Sequence, residues 1–512
     1  MNLEKNDLLA LAQQGYTHIP LVMETLADLD TPVSTYLKLA DAPYTYLFES
    51  VVGGNEWGRY SIIGLPADEV FRVFGNTISQ EVSGIQVKSF DAEDPLEEVR
   101  KLQSLYRVAP IEGLPEMFGG LVGFFGYESI SYIESRLANQ NKPDAIGAPD
   151  IMLLISKDVV VFDNLTGRVF LVTLIDLNDP DDFAAASVRL DASRLGLQQS
   201  LGVSIGRKSE SVTEPPYKVH FSQSEFEQAV ERCRDYIRDG DIMQVVLSQR
   251  IEMEYTSAPI DVYRALRTIN PSPYMYFLNM GDFQIIGSSP EILVRQENNK
   301  VTVRPIAGTR RRGKTVEEDI ALEQELLTDP KERAEHLMLI DLGRNDVGRI
   351  AEIGSVKLTD EFIIERYSHV MHIVSNVEGQ LREGMDAIDV FKATFPAGTV
   401  SGAPKIRAME IINELEPVKR GIYSGAVGYI GWNGNMDTAI AIRTAVVKDG
   451  RLFLQAGGGI VADSVPLYEW KETLKKRKAI MTAVKMAKNG LGQLKHPDSG
   501  MADQKVGGVE KC

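Results

Sequence analysis

Apolar residues recur along the chain with two different periods. In the first part, YTYLFESV (44–51), YSIIGL (60–65) and EVFRVFG (69–75) have strand composition, and Gly53-Gly54 and Pro66 supply turn chemistry between them. GGLVGFFGYE (119–128) mixes glycine with aromatic residues, as suits backbones that approach closely within a sheet. The run IMLLISKDVVVFDNLTGRVFLVTLI (151–175), broken by an Asn/Thr/Gly turn, predicts a hairpin. After residue 220 the period changes. SQSEFEQAVERCRDYIRDGD (222–241) opens on a serine cap signal and spaces Phe226, Val230, Cys233 and Ile237 as a helix does. MQVVLSQRIEM (243–253) then reads as a buried strand, and helices alternate with antiparallel-type strand pairs to about residue 488. The predicted organisation is an N-terminal domain over 1–200, a polar linker over 201–220 around Pro215-Pro216, a second domain over 221–488, and an unstructured tail over 489–512.

Composition narrows the classes. The 512 residues are 44% hydrophobic and 25% charged, the balance of a globular protein with a large core. A formal net charge of −17 argues against nucleic acid and anionic membranes as general partners, since both are met by positive potential. An anionic substrate would need local cations. Cys233 and Cys512 are too few for a disulfide framework. The opening MNLEKNDLLALAQQG has acids and no apolar core, and no run reaches the ~18 apolar residues of a membrane span, so a cytoplasmic protein is expected.

GTRRRGKT (308–315) fits the pattern of a phosphate-cradling loop between a β-like run and a helical one. Three consecutive arginines crowd the place where backbone amides would wrap a phosphate, so a basic turn before a helix is the better reading. Other residues point to different chemistry. Glu332 and Glu335 share a helix face in DPKERAEHLMLIDLGRND (329–346), and Glu469 and Glu472 repeat the spacing in SVPLYEWKETLKK (464–476). Such pairs usually face solvent. Brought together, the two faces would suit Mg²⁺, which takes a few carboxylates and keeps other oxygens as ligands. PAGTVSGAPK (396–405) and GGGIVADS (457–464) are Gly-rich loops able to present backbone N–H groups to an anion. His369 and His372 stand three apart in ERYSHVMHIVS (365–375), a spacing that fits one helical face or core packing equally. Arg443, inside the apolar run TAIAIRTAV (438–446), requires a buried anionic partner, for which a carboxylate is the natural match.

Six motifs in order, RPIAGTRRRG (304–313), DLGRND (341–346), ERYSHVMHIVS, FPAGTVSGAPK, GIYSGAVGYIGWNGNMDTAIAIRTAV (421–446) and QAGGGIVADSVPLYEWKETLKK (455–476), resemble the chorismate-utilising enzymes. The likeness is close over 220–488, and the first 200 residues resemble that family's N-terminal regulatory domain. It implies an α+β fold of antiparallel sheets covered by outer helices, the regulatory domain intertwined with the catalytic one. It also implies chorismate as substrate and Mg²⁺ held by Glu335 and Glu472, with Glu332 and Glu469 as neighbours binding through water. The implied substrate contacts are Gly308, Thr309, Thr399, Tyr423, Arg443 and Gly457, Gly458 and Gly459. Glu291, in SSPEILV (288–294), matches the family's general acid, and His372 the histidine associated with pyruvate loss; His369 is read as structural.

Two positions set the implied reaction. Water-adding relatives carry a lysine base where this chain has Gln244, and glutamine takes no proton at ordinary pH. Relatives that form aminodeoxychorismate, the alternative reading, carry a nucleophilic lysine where this chain has Ala307. The resemblance therefore implies ammonia attack at C2 and elimination of pyruvate to give anthranilate, as the first step of tryptophan biosynthesis. No cysteine sits in a nucleophile-like turn, so ammonia from glutamine implies a separate amidotransferase subunit in a hetero-oligomer, a heterotetramer by the family's habit. YLFES (46–50) resembles the family's tryptophan-sensing motif with Ser50 as its serine, and Phe48 departs from the usual leucine. NPSPYMYF (270–277) resembles the second half of that pocket, with Pro273, Tyr274 and Met275 as contacts to inhibitory L-tryptophan.

Overall fold

The protein is described here by a computed structural model covering residues 5–491, apart from 27, 51–58, 139–141, 202–215 and 368–369. His369, Cys512, most of the expected linker and nearly all of the expected tail lie outside the described residues. Tyr217–Val219, at the end of that linker, is a strand paired with Ile251–Met253.

Local signals account for the elements. In the helix Gln223–Arg238, the Ser222 hydroxyl accepts from the Glu225 N–H, and the Glu225 carboxylate accepts from the Ser222 N–H. This reciprocal cap fixes the start, while Phe226, Val230, Cys233 and Tyr236 form the buried face. Burial raises the Cys233 thiol to about 12, which leaves it an inert packing residue. Gln244–Glu254 is buried on both faces along ten of its eleven positions, which is why it reads as apolar without alternation. Among the described residues no helix is long and apolar enough to cross a membrane.

The fold is α+β, with two antiparallel sheets of twelve strands and helices packed against them. The first sheet runs from His18–Leu26 through Arg168–Asp176, Asp158–Asp163, Tyr60–Gly64 and Thr45–Glu49 to Tyr274–Asn279. It continues through Phe283–Ser289, Thr444–Lys448, Arg451–Ile460 and Gln244–Glu254 to Tyr217–Val219. The second joins Gly120–Phe125, Ile151–Ser156 and Glu69–Phe74 to Ala426–Gly431, Met436–Ile440, Ile292–Glu297 and Val370–Gln380. Each sheet thus mixes strands from both halves of the sequence.

The predicted hairpin forms about its Asn/Thr/Gly turn, but it does not include the first stretch of 151–175. Ile151–Ser156 belongs to the second sheet; the chain crosses at Lys157, and the hairpin is Asp158–Asp163 with Arg168–Asp176 in the first. Two more crossings position the chemistry. Pro290-Glu291 joins Phe283–Ser289 to Ile292–Glu297, and Ala441-Ile442-Arg443 joins Met436–Ile440 to Thr444–Lys448. The crossings are stitched side by side: the Ile440 N–H donates to the Glu291 carbonyl at 3.0 Å and the Ser288 N–H to the Arg443 carbonyl at 3.2 Å.

Candidate active site

At these crossings a chain leaves one sheet for another, so side chains project between the layers. Glu291 is buried, and burial pushes its carboxyl up to about 8, against the opposing pull of Thr399, the Ile306 backbone, Arg443 and Lys476. It is a carboxylic acid kept protonated near neutral pH. Arg443 adopts φ +49°, a left-handed conformation costly for a side chain with a Cβ. Among the described residues its guanidinium has no hydrogen-bond acceptor, and desolvation pulls its pKa down while Tyr367 and Glu291 act only at a distance. Among the described residues no side chain supplies the anionic partner that the sequence calls for. A half-buried guanidinium with no acceptor of its own, on a residue of strained backbone, can receive a carboxylate in its fork.

His372 lies on Val370–Gln380, paired across from Thr309 on Ile306–Arg311. Its Nδ1 is 2.9 Å from the Gly308 carbonyl, which can only accept, so Nδ1 carries the proton. Burial lowers the ring to about 4, leaving it neutral with a free electron pair at Nε2. Tyr367 packs edge-on against the ring, with centroids 5.5 Å apart. Gly308 takes φ +64°, and a Cβ there would come within 3.1 Å of Glu332 Oε2.

Opposite stand the carboxylates. Glu335, on the helix Pro330–Gly348, accepts from Gln244 Nε2 at 3.4 Å. Glu469 and Glu472, on Pro466–Lys488, face Gly458: a Cβ on that glycine would sit 3.3 Å from Glu469 Oε2 and 3.7 Å from Glu472 Oε1. A Cβ on Gly459 would strike the Gln244 amide at 2.3 Å, and one on Gly457 would approach the Tyr423 hydroxyl at 2.9 Å. The glycines are thus needed for close approach. Burial raises Glu335, helped by repulsion from Glu332 and Glu472; burial raises Glu469, helped by Glu472. Such mutual repulsion favours a cation. Among the described residues no three His, Cys, Asp or Glu side chains form a ready-made cluster, and a hard cation that keeps water and substrate oxygens needs none. The Gln244 Oε1, buried without a partner, is a further oxygen facing no donor. Glu332 is held by Arg310 at 3.0 Å and Glu472 by Lys476 at 2.8 Å, so one member of each pair is already engaged by a cation.

The arginines of GTRRRGKT are all engaged. Arg310 reaches Glu325, Asp329 and Glu332, Arg311 pairs with Glu318, and Arg312 with Asp319, which also accepts from the Gly313 N–H. No cradle is left for a phosphate. Lys476 is a residue that sequence reasoning missed. It donates to the Gly457 carbonyl at 3.0 Å and pairs with Glu472 at 2.8 Å, and its i, i+4 spacing from Glu472 was the available signal.

The segments YLFES and NPSPYMYF are also adjacent. Thr45–Glu49 pairs with Tyr274–Asn279, Glu49 opposite Met275, so Ser50 leaves that strand next to the second segment. Tyr274 donates to Asp437 Oδ1 at 2.9 Å, and Met275 is buried in the same apolar cluster as Leu47 and Tyr263. Pro273 and Tyr274 line a cavity of about 300 Å³ with Pro290, Ile306 and Tyr367, hence one layer from Glu291 and His372.

The model of the family described as chorismate binding enzyme matches residues 61–482, and the chain belongs to that family. Within the family the likeness over nearly the whole chain is to component I of anthranilate synthase. The chain is 57% identical over 491 residues to anthranilate synthase component 1 of Pseudomonas aeruginosa, covering 96% of this chain and 100% of that one. The crystal structure of anthranilate synthase component I from Streptococcus pneumoniae matches with a TM-score of 0.74 at 38% identity, over 89% of this chain and 99% of that one. The menaquinone-specific isochorismate synthase of Escherichia coli shares the fold, with a TM-score of 0.68 at 17% identity over 93% and 98% of the two chains.

Proposed function

We propose that the protein is the aminase subunit of an anthranilate synthase, converting chorismate and ammonia to anthranilate and pyruvate in the cytoplasm. The observation that carries this reading is the unpaired Arg443 guanidinium beside the protonated Glu291, across from paired glutamates. That arrangement suits a dicarboxylate that loses a hydroxyl.

Glu335 and Glu472 would hold Mg²⁺, which supplies positive charge for a second substrate carboxylate. Arg443 binds a carboxylate in its fork, and Thr309, Thr399, Tyr423 and the Gly457–Gly459 backbone enclose the ring. Glu291 gives its proton to the C4 hydroxyl, which leaves as water while ammonia bonds to C2. Gln244 hydrogen-bonds near the nucleophile without taking a proton, so water stays unactivated. In the second step Nε2 of His372 accepts the C2 proton as pyruvate departs and the ring becomes aromatic. Ala307 offers no amine for a covalent adduct, which disfavours aminodeoxychorismate as the product.

Ammonia would come from glutamine through a separate amidotransferase subunit, and L-tryptophan would inhibit from the pocket of Ser50, Pro273, Tyr274 and Met275. The test is chromatography of the products formed from chorismate, Mg²⁺ and ammonium. Anthranilate with equimolar pyruvate is expected. Isochorismate, or aminodeoxychorismate as the end product, would refute the assignment.

A further inference from the structure

Behind the substrate-facing residues lies a fully buried ion pair. Arg420, among the largest fully buried side chains, pairs with Glu416 through Nε at 2.9 Å and Nη2 at 2.6 Å. The remaining donors go to the Val400 carbonyl from Nη1 and the Val246 carbonyl from Nη2, both at 2.7 Å, and to the Ser424 hydroxyl from Nη1 at 3.3 Å. Val400 adjoins Thr399, and Val246 lies two residues from Gln244. The guanidinium also stands 5.6 Å from the Tyr423 ring centre. Glu416 in turn accepts from the Ser248 N–H at 2.8 Å and its hydroxyl at 2.7 Å, and Ser248 pairs across the sheet with Gly457. From the other half of the sequence, the Glu128 carboxylate accepts from the N–H groups of Arg420 and Gly421, both at 2.9 Å.

Resting on the proposed function, we infer that Arg420 and Glu416 are positioning residues of the active site: one buried fork holds the Thr399 turn, the Gln244 strand and the Tyr423 turn in mutual register. A purely apolar core would hold the fold as well, since buried ion pairs are weak sources of stability. What the pair adds is direction, because the fixed donors specify where two separate backbones, at Val400 and Val246, and the Ser424 hydroxyl beside Tyr423 sit. Misplacing a substrate-facing group by about 1 Å costs on the order of 100-fold in rate. Displacing Thr399 also removes an uncharged hydroxyl that favours the ionised form of Glu291, which faces the cations Arg443 and Lys476 and the phenol of Tyr367.

Three proteins test this: wild type, Arg420→Lys, and the charge-free Arg420→Met/Glu416→Met pair. Thermal midpoints are measured alongside kcat, KM and pH profiles, at temperatures well below each midpoint. Arg420→Lys keeps the charge but not the fork, so kcat should fall by about 10- to 100-fold with a smaller change in KM. The alkaline limb of its profile should move to higher pH. The charge-free pair should remain folded and lose at least as much kcat. Wild-type kcat and an unmoved alkaline limb in Arg420→Lys would overturn the inference, whatever becomes of the double variant. A wild-type protein inactive on chorismate would instead refute the proposed function, so the two failures are distinguishable.

Discussion

Arg443→Met separates ligand binding from fold maintenance, because the two should respond in opposite directions. The guanidinium is half-buried and without an acceptor among the described residues, and its backbone is strained at φ +49°, so it does little for the unliganded fold. Methionine of similar length removes the charge and keeps the packing volume. A bidentate carboxylate contact contributes two charge-assisted hydrogen bonds at about 1.5–3 kcal/mol each. Losing both amounts to roughly 3–6 kcal/mol, or about 10²–10⁴-fold in kcat/KM at 1.4 kcal/mol per decade. Relieving an unsatisfied buried charge should hold the thermal midpoint constant or raise it. Initial rates against chorismate concentration and a thermal scan of the same preparations measure both quantities. A variant within threefold of wild-type kcat/KM, or one whose midpoint drops sharply, would refute the receptor argument.

Glu335→Gln and Glu472→Gln should each abolish turnover without altering circular dichroism, and chelator should do the same to wild type; full activity in excess chelator would remove the metal from the account. Because Glu291 must be protonated to act and its carboxyl is raised to about 8, activity should decline as pH rises through that value. Glu291→Gln should lose about 10²–10⁴-fold in the first chemical step, and an unchanged alkaline limb in residual activity would count against it as the acid. His372→Asn should leave amination intact and accumulate the aminated intermediate; normal turnover would reduce His372 to packing. Tryptophan should weaken chorismate binding with a coupling of about 1–3 kcal/mol, and Ser50→Ala should relieve inhibition at nearly constant uninhibited turnover; calorimetry detecting no tryptophan binding would contradict this.

Where function coincides with a local pattern, the sequence was legible. The serine cap and helical spacing at 222–238 survive intact, as do the paired glutamates at 332/335 and 469/472, because helix geometry alone places them. The sheet crossings were not legible. Ile151–Ser156 and Asp158–Asp163 are both mostly apolar, and the short polar break of Ser156, Lys157 and Asp158 does not announce a change of sheet. For the same reason nothing local revealed that Glu291 and Arg443 share a stitched pair of crossings, although each stood out singly. Arg443 calls for a buried anion in sequence, and among the described residues no carboxylate hydrogen-bonds it, so the partner's identity was not legible there. The Arg420–Glu416 hub stayed hidden because its backbone acceptors are long-range.

The most direct test of the central claim follows fluorescence and mass together. Purified protein is mixed with chorismate, Mg²⁺ and ¹⁵N-labelled ammonium. The account predicts growing anthranilate fluorescence and a product carrying one ¹⁵N, with glutamine ineffective until an amidotransferase subunit is added. Chorismate left unconsumed, or converted to a product without nitrogen, would contradict it.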